Sequence, residues 1–388
     1  MLRVPCDPTE ARPSPNRSRD VHLIAHNGAR IWGGAEGATA ILLAGLQERG
    51  HRVKLYCNHP LVVEGARRVG VAAERQRLGG DVAVMDALRF ARVLRHERPD
   101  VLLIGTFRKL WLAALAGRLA DVPRIVARIG LETDTPRSWK YRAVLVRWVD
   151  AVAVNADRMR PHYLSLPGWT EERVVTIYNA VRPPARAQQR GAVRRSLGLQ
   201  PQQRVIGTVA RLSEQKRLDR LLHALTRLPT DVHCILAGDG ELRSSLQRLA
   251  GELELDTRVH FLGHREDVGD VLDAMDVFVV CSDREGMSNA MLEALAAGVP
   301  VVSTPVSGAA EALEPLPDGT VPGEIVDFSS EALAAALGRM LEETERCATM
   351  AQAAVQRART RFDFESMLNA WERFLFPQLL SAPRSLTV

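Results

Sequence analysis

The sequence predicts an α/β protein made of two doubly wound domains that face each other across a cleft. Short apolar runs alternate with amphipathic stretches along nearly the whole chain, an order typical of parallel sheets with right-handed crossovers. Most of the apolar runs are continuous, as expected for strands that are covered on both faces. The chain has 388 residues, which is too long for one ordinary core and suits two domains.

The individual strands are predicted from these apolar runs. In the first half they are VHLIAH, HRVKLYC, DVLLIGT, RIVARI, DAVAVN and RVVTIYN. In the second half they are RVIGTVA, VHCILAG, RVHFLG, DVFVVCS and PVVST. Helical patterns lie between them, such as EGATAILLAGLQERG, which we expect to end at Gly50.

The domain boundary is predicted at the segment VRPPARAQQR, because adjacent prolines without apolar periodicity suit a linker. Residues 20–183 then form an N-terminal Rossmann-like domain and residues 184–360 a C-terminal one. Residues 361–388 are predicted to be a helix that returns to the N-terminal domain. Residues 1–19, with four prolines, are predicted to be a disordered tail.

Composition argues against several classes of protein. The net charge of +5 comes from scattered arginines, whereas nucleic-acid binding needs a basic stripe. The five cysteines form no C-x-x-C pair, and no apolar run approaches the ~18 residues of a membrane span. The N-terminus lacks the apolar stretch of a signal peptide. We therefore expect a cytoplasmic protein. Its weakly basic surface could favour peripheral contact with the inner face of the cell membrane, and the alternative is that the charge serves solubility alone.

Two basic residues follow one predicted strand in GTVARLSEQKR. Arg211 comes directly after the strand, and Lys216 lies five residues later, near the next helix. Ligands of doubly wound sheets bind at the carboxyl ends of strands, so this pair could hold a diphosphate. Only four of the 51 basic residues are lysines, and Lys216 is the last of them, which favours a specific use. Solvated cations are the alternative, and Arg217 and Arg220 are expected to be solvated.

Two carboxylates bracket the segment EGMSNAMLE. Glu285 lies in the loop, Ser288 is predicted to be the helix N-cap, and Glu293 falls in the second helical turn. Leu292 and Ala294 beside Glu293 are apolar, so an idle carboxylate there would lack a partner. Carboxylates accept hydrogen bonds from vicinal hydroxyls. The alternative for Glu293 is a solvated helix residue.

The loop HNGARIWGGAEGATA carries a weaker signal. Gly33 and Gly34 lack Cβ atoms where a ligand could approach the main chain, and the N–H groups of the following helix suit a phosphate. A simple turn is the alternative. In FLGHREDV, Arg265 and its neighbours could meet a nucleobase through main-chain atoms, while His264 is read as a loop residue.

Together these motifs resemble the retaining GT-B glycosyltransferases of family GT4. The resemblance lies in G-x-x-x-R-x-x-x-x-K at Gly207, Arg211 and Lys216, in E-x7-E at Glu285 and Glu293, and in the GGAE, AGDGE and GVPVVST segments. It covers roughly residues 21–376. It implies a nucleotide-sugar donor, such as a UDP- or GDP-sugar, held mainly by the C-terminal domain. The N-terminal domain is then on the acceptor side, and no metal or further cofactor is needed.

The resemblance also implies a role for each site residue. Arg211 and Lys216 would hold the diphosphate, Glu285 the donor sugar and Glu293 the ribose hydroxyls, so we take Arg211, Lys216 and Glu285 as catalytic. The predicted donor-binding residues are Gly33, Gly34, Gly207, Arg265, Gly286, Met287, Ser288, Asn289, Ala290 and Glu293.

The expected function is retaining transfer of a hexose-type sugar to a lipid-linked, polysaccharide or other glycan acceptor, in polysaccharide or cell-envelope biosynthesis. One departure concerns VARIGLETDTPRSWKYR, which lacks the histidine that the family often has there. Glu132, Asp134 or a main-chain carbonyl would replace it. The departure leaves open a non-catalytic GT-B scaffold in polysaccharide assembly. A nucleotide-sugar epimerase is a further alternative, against which the Arg–Lys motif argues.

Overall fold

The computed structural model describes residues 20–79, 83–131, 134, 138–182 and 191–377. The predicted tail at 1–19 and most of the predicted linker lie outside the described residues. Two parallel sheets, each covered by helices on both faces, account for the described part. We refer to residues up to 182 as the N-terminal half and to residues from 191 onward as the C-terminal half.

The first sheet occupies the N-terminal half. Its strands are β1 (His22–Asn27), β2 (Arg52–Cys57), β3 (Ala73–Arg75), β4 (Val101–Ile104), β5 (Arg124–Ile129), β6 (Ala151–Val154) and β7 (Val174–Thr176). They pair in the order β3-β2-β1-β4-β5-β6-β7. The helices are α1 (Gly34–Glu48), α2 (Pro60–Arg68), α3 (Val84–Glu97), α4 (Leu110–Leu119), α5 (Trp139–Trp148) and α6 (Arg160–Leu164).

The second sheet occupies the C-terminal half. Its strands are β8 (Arg204–Val209), β9 (Val232–Ala237), β10 (Val259–Gly263), β11 (Val277–Val280), β12 (Val301–Ser303) and β13 (Gly323–Ile325). They pair in the order β10-β9-β8-β11-β12-β13. The helices are α7 (Ala192–Ser196), α8 (Leu218–Leu225), α9 (Arg243–Glu252), α10 (Val268–Asp273), α11 (Asn289–Ala297), α12 (Ala309–Ala312), α13 (Ser330–Glu342), α14 (Thr344–Arg361) and α15 (Phe364–Leu375).

Both sheets reverse their strand order at one point, between β1 and β4 in the first and between β8 and β11 in the second. Loops that leave the carboxyl ends of such strands diverge to opposite faces and open a crevice. The eleven strands predicted from continuous apolar runs are confirmed. The short strands β3 and β13 were not predicted, and both lie at sheet edges. Helix α1 ends two residues before Gly50, which has φ 95°.

Helix α15 packs on the first sheet although it follows the second. Phe364, Leu368 and Trp371 belong to the same buried cluster as the strands and helix of the N-terminal half. A Cβ atom on Gly45 of α1 would lie 2.8 Å from Leu368, so the two helices are in close contact there. Before α15 begins, the main-chain N–H of Val181 donates to the carbonyl of Phe362 (3.2 Å). The chain thus passes between the halves at two adjacent places.

Among the described residues, no helix combines the length and the apolar character that crossing a bilayer requires.

Candidate active site

Lys216 and Glu285 meet at the crevice between β8 and β11. Lys216 ends a short 3₁₀ turn after β8, and Glu285 lies in the loop after β11. The Lys216 Nζ atom lies 2.5 Å from Glu285 Oε1, and Glu285 Oε2 accepts a hydrogen bond from Ser282 Oγ (2.9 Å). Their side chains are only 20% and 13% exposed. Both predicted residues are therefore brought together and fixed in position.

Behind this pair, a cluster of ion pairs joins the two loops. Asp283 pairs with both Arg217 and Arg220, at 3.1 and 2.8 Å. Arg220 also donates to the carbonyl of Cys281 and is buried. The expectation that both arginines are solvated is wrong for Arg220, which is buried. Arg217 is partly exposed, and it also forms ion pairs. Their guanidinium groups hold the β8 and β11 loops in register with each other.

Glu293 is half-buried in the second turn of α11. No hydrogen bond or ion pair joins its side chain to another residue in the described part of the chain. Burial alone raises the pKa of its carboxyl group to about 7. Ser288 is the N-cap of this helix, as predicted, and its Oγ accepts from the N–H of Met291 (3.4 Å). The carboxyl group of Glu293 is thus left available to a ligand with hydroxyl groups.

Main-chain donors line the loop before α11. None of the N–H groups of residues 286–290 donates to an acceptor within the described residues. The surrounding packing is tight, since a Cβ on Gly286 would lie 2.2 Å from the carbonyl oxygen of Gly130 across the cleft. The Met287 side chain is buried in the core of the C-terminal half, so only main-chain atoms of that residue face the cleft. Free N–H groups at a helix N-terminus suit an anionic ligand.

The N-terminus of α1 faces this loop from the other half. Gly33 is its N-cap in an extended conformation, and the Glu36 carboxylate folds back to 3.3 Å from where a Gly33 Cβ would stand. Burial raises the pKa of Glu36, while neighbouring N–H groups and the charges of Arg128 and Arg211 oppose that rise. Arg211 is half-exposed, with Nε 3.7 Å from Glu241. Its charge therefore acts across the cleft on the start of α1.

Two predicted donor-binding residues have other surroundings. Gly207 is buried within β8, where a Cβ would lie 2.6 Å from Met275 and 2.7 Å from the carbonyl of Ile235. Core packing therefore explains this glycine without a ligand. Arg265 follows β10, two strands from the Lys216 crevice, and its Nε donates to Asp267 Oδ1 (2.7 Å). The structure does not bring Arg265 into the Lys216–Glu285 crevice.

Sequence reasoning missed a set of polar residues that link the halves, of which Arg128 and Asn179 are buried and Asn289 is partly exposed. Arg128 on β5 donates to Asn179 Oδ1 (2.8 Å), and Asn179 Nδ2 donates to Asn289 Oδ1 (2.8 Å). Asn289 Nδ2 in turn donates to the carbonyl of Gly34 (2.7 Å). The only sequence signal was an arginine inside the apolar run RIVARI. Asn289 was predicted to meet the donor through its main chain, which stays a prediction, and its side chain makes a contact with Gly34 that was not predicted.

Of the residues predicted to replace the absent histidine, Glu132 lies outside the described residues. Asp134 is described, and burial raises the pKa of its carboxyl group to about 6, against the opposing charge of Arg108. Tyr163 donates its hydroxyl hydrogen to the Asp134 carbonyl. Within the described ranges, no three His, Cys, Asp or Glu side chains are grouped so that they could hold a metal ion.

Comparison with known proteins places this site in a family. The model of Glycosyltransferase Family 4 matches residues 32–183, and that of Glycosyl transferases group 1 matches residues 189–357. The lipopolysaccharide core biosynthesis glycosyltransferase LpsE of Rhizobium meliloti is 32% identical over 222 residues, which are 57% of this chain and 60% of LpsE. The GDP-mannose-dependent monoacylated alpha-(1-6)-phosphatidylinositol monomannoside mannosyltransferase of Corynebacterium glutamicum is 31% identical over 309 residues, covering 71% of this chain and 76% of that enzyme.

The chain belongs to glycosyltransferase family 4. The match to LpsE spans less than two thirds of that protein's length. Among solved structures, Anabaena HepE in complex with UDP-glucose superposes with a TM-score of 0.79, covering 92% of this chain and 100% of that chain at 22% identity. The predicted GT-B fold and the predicted family are therefore confirmed.

Within this family 4 chain, the predicted site residues divide into three groups by position. Lys216, Glu285 and the 286–290 loop share one crevice, and Arg211 with Gly33 and Gly34 faces it. Glu293 lies on the helix behind the loop. Gly207 and Arg265 stand apart. The family 4 fold thus collects cations, free N–H groups and carboxylates where two helices begin.

Proposed function

We propose that this chain transfers a hexose-type sugar, with retention of anomeric configuration, from a nucleotide-sugar donor to a lipid-linked, polysaccharide or other glycan acceptor. The observation that carries the proposal is the Lys216–Glu285 ion pair beside the free N–H groups of residues 286–290. A cation with adjacent N–H donors suits a diphosphate, and a partly buried carboxylate suits sugar hydroxyls.

The two ends of the donor would bind to different groups. Lys216 and Arg211 would neutralise the diphosphate, and the N-terminus of α1 would close over it from the other side. Glu285 would accept hydrogen bonds from the sugar, and Glu293 from the ribose. The raised pKa of Glu293, about 7, is that of a carboxyl group without its hydrogen-bond donors, which ribose hydroxyls would supply.

In the reaction, the bond between the anomeric carbon and the diphosphate oxygen breaks, and the acceptor oxygen bonds to that carbon from the same face. The leaving phosphate oxygen takes the acceptor's proton, which offsets the negative charge that cleavage of the bond to the anomeric carbon places on the nucleoside diphosphate. Lys216 and Arg211 would stabilise the charge that develops on it. No protein residue is required as the base in this scheme.

Relatives favour a nucleotide-sugar donor without fixing its base. HepE was solved with UDP and with UDP-glucose, whereas the Corynebacterium glutamicum relative is GDP-mannose-dependent. LpsE and that relative act in lipopolysaccharide core and phosphatidylinositol mannoside synthesis by name. These names support an acceptor that is a lipid-linked or polysaccharide precursor.

The direct test is a panel of nucleotides followed by a panel of nucleotide sugars. A nucleoside diphosphate at 100 times its Kd should stabilise the protein by about 2.7 kcal/mol, which thermal unfolding detects. Donor turnover should then fall at least tenfold in Lys216→Ala and in Glu293→Ala, while Lys54→Ala, on β2, serves as the control. Unchanged turnover in both crevice variants would refute the proposal.

The same assay separates the rival functions. A scaffold would neither hydrolyse nor transfer from any donor, and an epimerase would yield an isomerised nucleotide sugar without an acceptor. NMR of the product linkage tests retention, since inversion would produce the opposite anomer.

A further inference from the structure

The contact between the start of α1 and the start of α11 brings together two like partial charges. Asn289 is the first residue of α11 and Gly34 the first of α1, and the two helices pack against each other. Each helix N-terminus carries roughly half a positive elementary charge. The Glu36 carboxylate folds back over the start of α1 and offsets part of this repulsion, and a direct hydrogen bond between the two helix starts would stabilise the contact further.

The Asn289 side chain supplies a direct link. Its Nδ2 atom donates to the Gly34 carbonyl at 2.7 Å, across the cleft between the halves. Its Oδ1 atom accepts from Asn179 Nδ2 at 2.8 Å. Asn179 Nδ2 also lies 3.0 Å from the carbonyl of Met287, which fixes the loop before α11. One amide therefore holds the N-termini of both helices.

The direction of these hydrogen bonds is set by Arg128. A guanidinium group only donates, so Asn179 must turn its Oδ1 toward Arg128 and its Nδ2 toward Asn289. Asn289 must then accept from Asn179, which leaves its own Nδ2 to donate to Gly34. Arg128 and Asn179 are 8% and 6% exposed, so water does not compete for their side chains, whereas the Asn289–Gly34 hydrogen bond is accessible to water.

Arg128 also reaches α1 by a second route. Its Nη1 donates to Thr39 Oγ1 at 2.9 Å, and that hydroxyl donates to the carbonyl of Ala35 at 2.9 Å. The first turn of α1 is thus held at two successive carbonyls, Gly34 from the C-terminal half and Ala35 from the N-terminal half. We refer to Thr39, Arg128, Asn179 and Asn289 as the interdomain network.

We propose that Asn289 is a positioning residue that holds the N-terminus of α1 against that of α11, so that both helix starts meet one diphosphate. Arg128 and Asn179 orient its amide for this purpose. The inference rests on the proposed function in taking a nucleoside diphosphate as the ligand. It differs from a main-chain role for Asn289, because a main-chain contact would survive replacement of the side chain.

Two nearly isosteric variants test the inference. Asn289→Asp can accept from Asn179 but cannot donate to Gly34 when ionised, and Asn289→Leu can do neither. We expect both to bind UDP and GDP about tenfold or more weakly by calorimetry, the loss of roughly one good hydrogen bond. Binding of uridine and guanosine, which lack phosphates, should stay as in the wild type. Asn369→Leu, an exposed asparagine on α15 bonded to Arg49, is the matched control.

A second readout needs no ligand. Small-angle scattering of the free protein should give a larger radius of gyration for both Asn289 variants, because the two helix N-termini separate, and an unchanged one for Asn369→Leu. The inference is overturned if the Asn289 variants have the same radius of gyration and the same diphosphate affinity as the wild type. Equal losses for nucleosides and diphosphates, or a loss in Asn289→Asp alone, would overturn it as well. If the wild type binds no nucleoside diphosphate, the proposed function fails, and scattering alone decides the positioning role.

Discussion

The ammonium of Lys216 lies 2.5 Å from a carboxylate oxygen of Glu285, between loops 69 residues apart in the chain. Ser282 occupies the other carboxylate oxygen, so Glu285 cannot turn away without losing a second partner. If the proposed function is right, a sugar diphosphate would meet this pair with its side chains already fixed. Little reorganisation is then needed when charge develops on the leaving group.

Removing the Lys216 ammonium should lower donor turnover by about 10- to 100-fold, since a hydrogen bond to a charged group is worth ~1.5–3 kcal/mol. Lys216→Arg should not restore it, because a planar guanidinium does not fit the position of a compact ammonium. The chain contains a matched control. Lys54 and Glu97 form a pair at 2.7 Å with side chains 21% and 12% exposed, on β2 and α3. Lys54→Ala should lower stability and leave turnover intact, and equal losses in both variants would contradict the assignment.

Glu293 should make stability depend on pH. Because its pKa is raised from 4.5 to about 7, the folded state keeps a proton that the unfolded state releases near pH 4.5. Its contribution to stability is therefore full below pH 4.5, falls as pH rises to about 7 and is flat above. The shift corresponds to at most about 3 kcal/mol. Glu293→Gln should reduce the slope of unfolding free energy against pH in urea unfolding from pH 4 to 8, with Glu311 and Asp134 supplying the rest, and an unchanged slope would contradict the buried carboxyl group.

The same residue should couple nucleotide binding to proton release. Ribose hydroxyls donating to the carboxylate favour its ionised form, so binding near pH 6 should release a proton. Calorimetry in two buffers of different ionisation enthalpy measures the number of protons released on binding. Glu311, whose carboxyl group also has its pKa raised to about 7, chiefly by burial, provides the control. Glu311→Gln should alter the stability profile and retain proton release, which Glu293→Gln should abolish.

Two glycines facing the cleft should respond differently to alanine. At Gly33 the backbone is extended and a Cβ meets only the flexible Glu36 side chain, so Gly33→Ala should fold normally and bind nucleoside diphosphates more weakly. At Gly286 a Cβ would lie 2.2 Å from the carbonyl of Gly130. Gly286→Ala should force the halves apart and cost ~1–3 kcal/mol in thermal unfolding.

Gly37→Ala is the control for both, because the change lies inside α1 where a Cβ has room. It should stabilise the protein by about 0.5–1 kcal/mol and leave nucleotide affinity unchanged. Normal nucleotide affinity in Gly33→Ala would mean that the start of α1 does not touch the ligand.

Asp134 is the described candidate for the place of the absent histidine. A carboxylate there would stabilise positive charge on the sugar as the diphosphate leaves, so only the ionised form would help. With a pKa of about 6, transfer should rise with pH through that value. Asp134→Asn should flatten this rise and slow transfer while UDP and GDP affinity remain. An unaltered pH–rate profile in Asp134→Asn would mean that Asp134 does not stabilise the charge on the sugar.

The fold could be predicted because its buried strands are continuous apolar runs. The strands missed, β3 and β13, have three residues each and lie at sheet edges, where neighbouring strands rather than an apolar pattern define them. Gly207 stays a predicted donor contact, although its packing against Met275 and Ile235 accounts for a glycine there without a ligand. A glycine kept by close packing within a strand has the same sequence signature as one kept by a ligand.

The site was predictable where motif spacing fixes it, as for Lys216 and Glu285 on neighbouring strands. The interdomain network was not, because Asn179 and Asn289 are separated by 110 positions and ordinary loop asparagines look alike in sequence. Arg128 gave a weak signal, since it is a charged residue in an apolar run. Its partner Asn179 is 51 positions away and can be identified only from the folded structure.

The double passage of the chain between its halves constrains how they can move. Val181 and Phe362 run side by side at this point, and Arg361 ties to the Tyr178 hydroxyl there (3.1 Å). Two adjacent connecting segments restrict rotation of one half relative to the other more than a single segment would, and they restrict bending less. We therefore expect any opening of the cleft to be mainly a bending of the halves about these two adjacent segments.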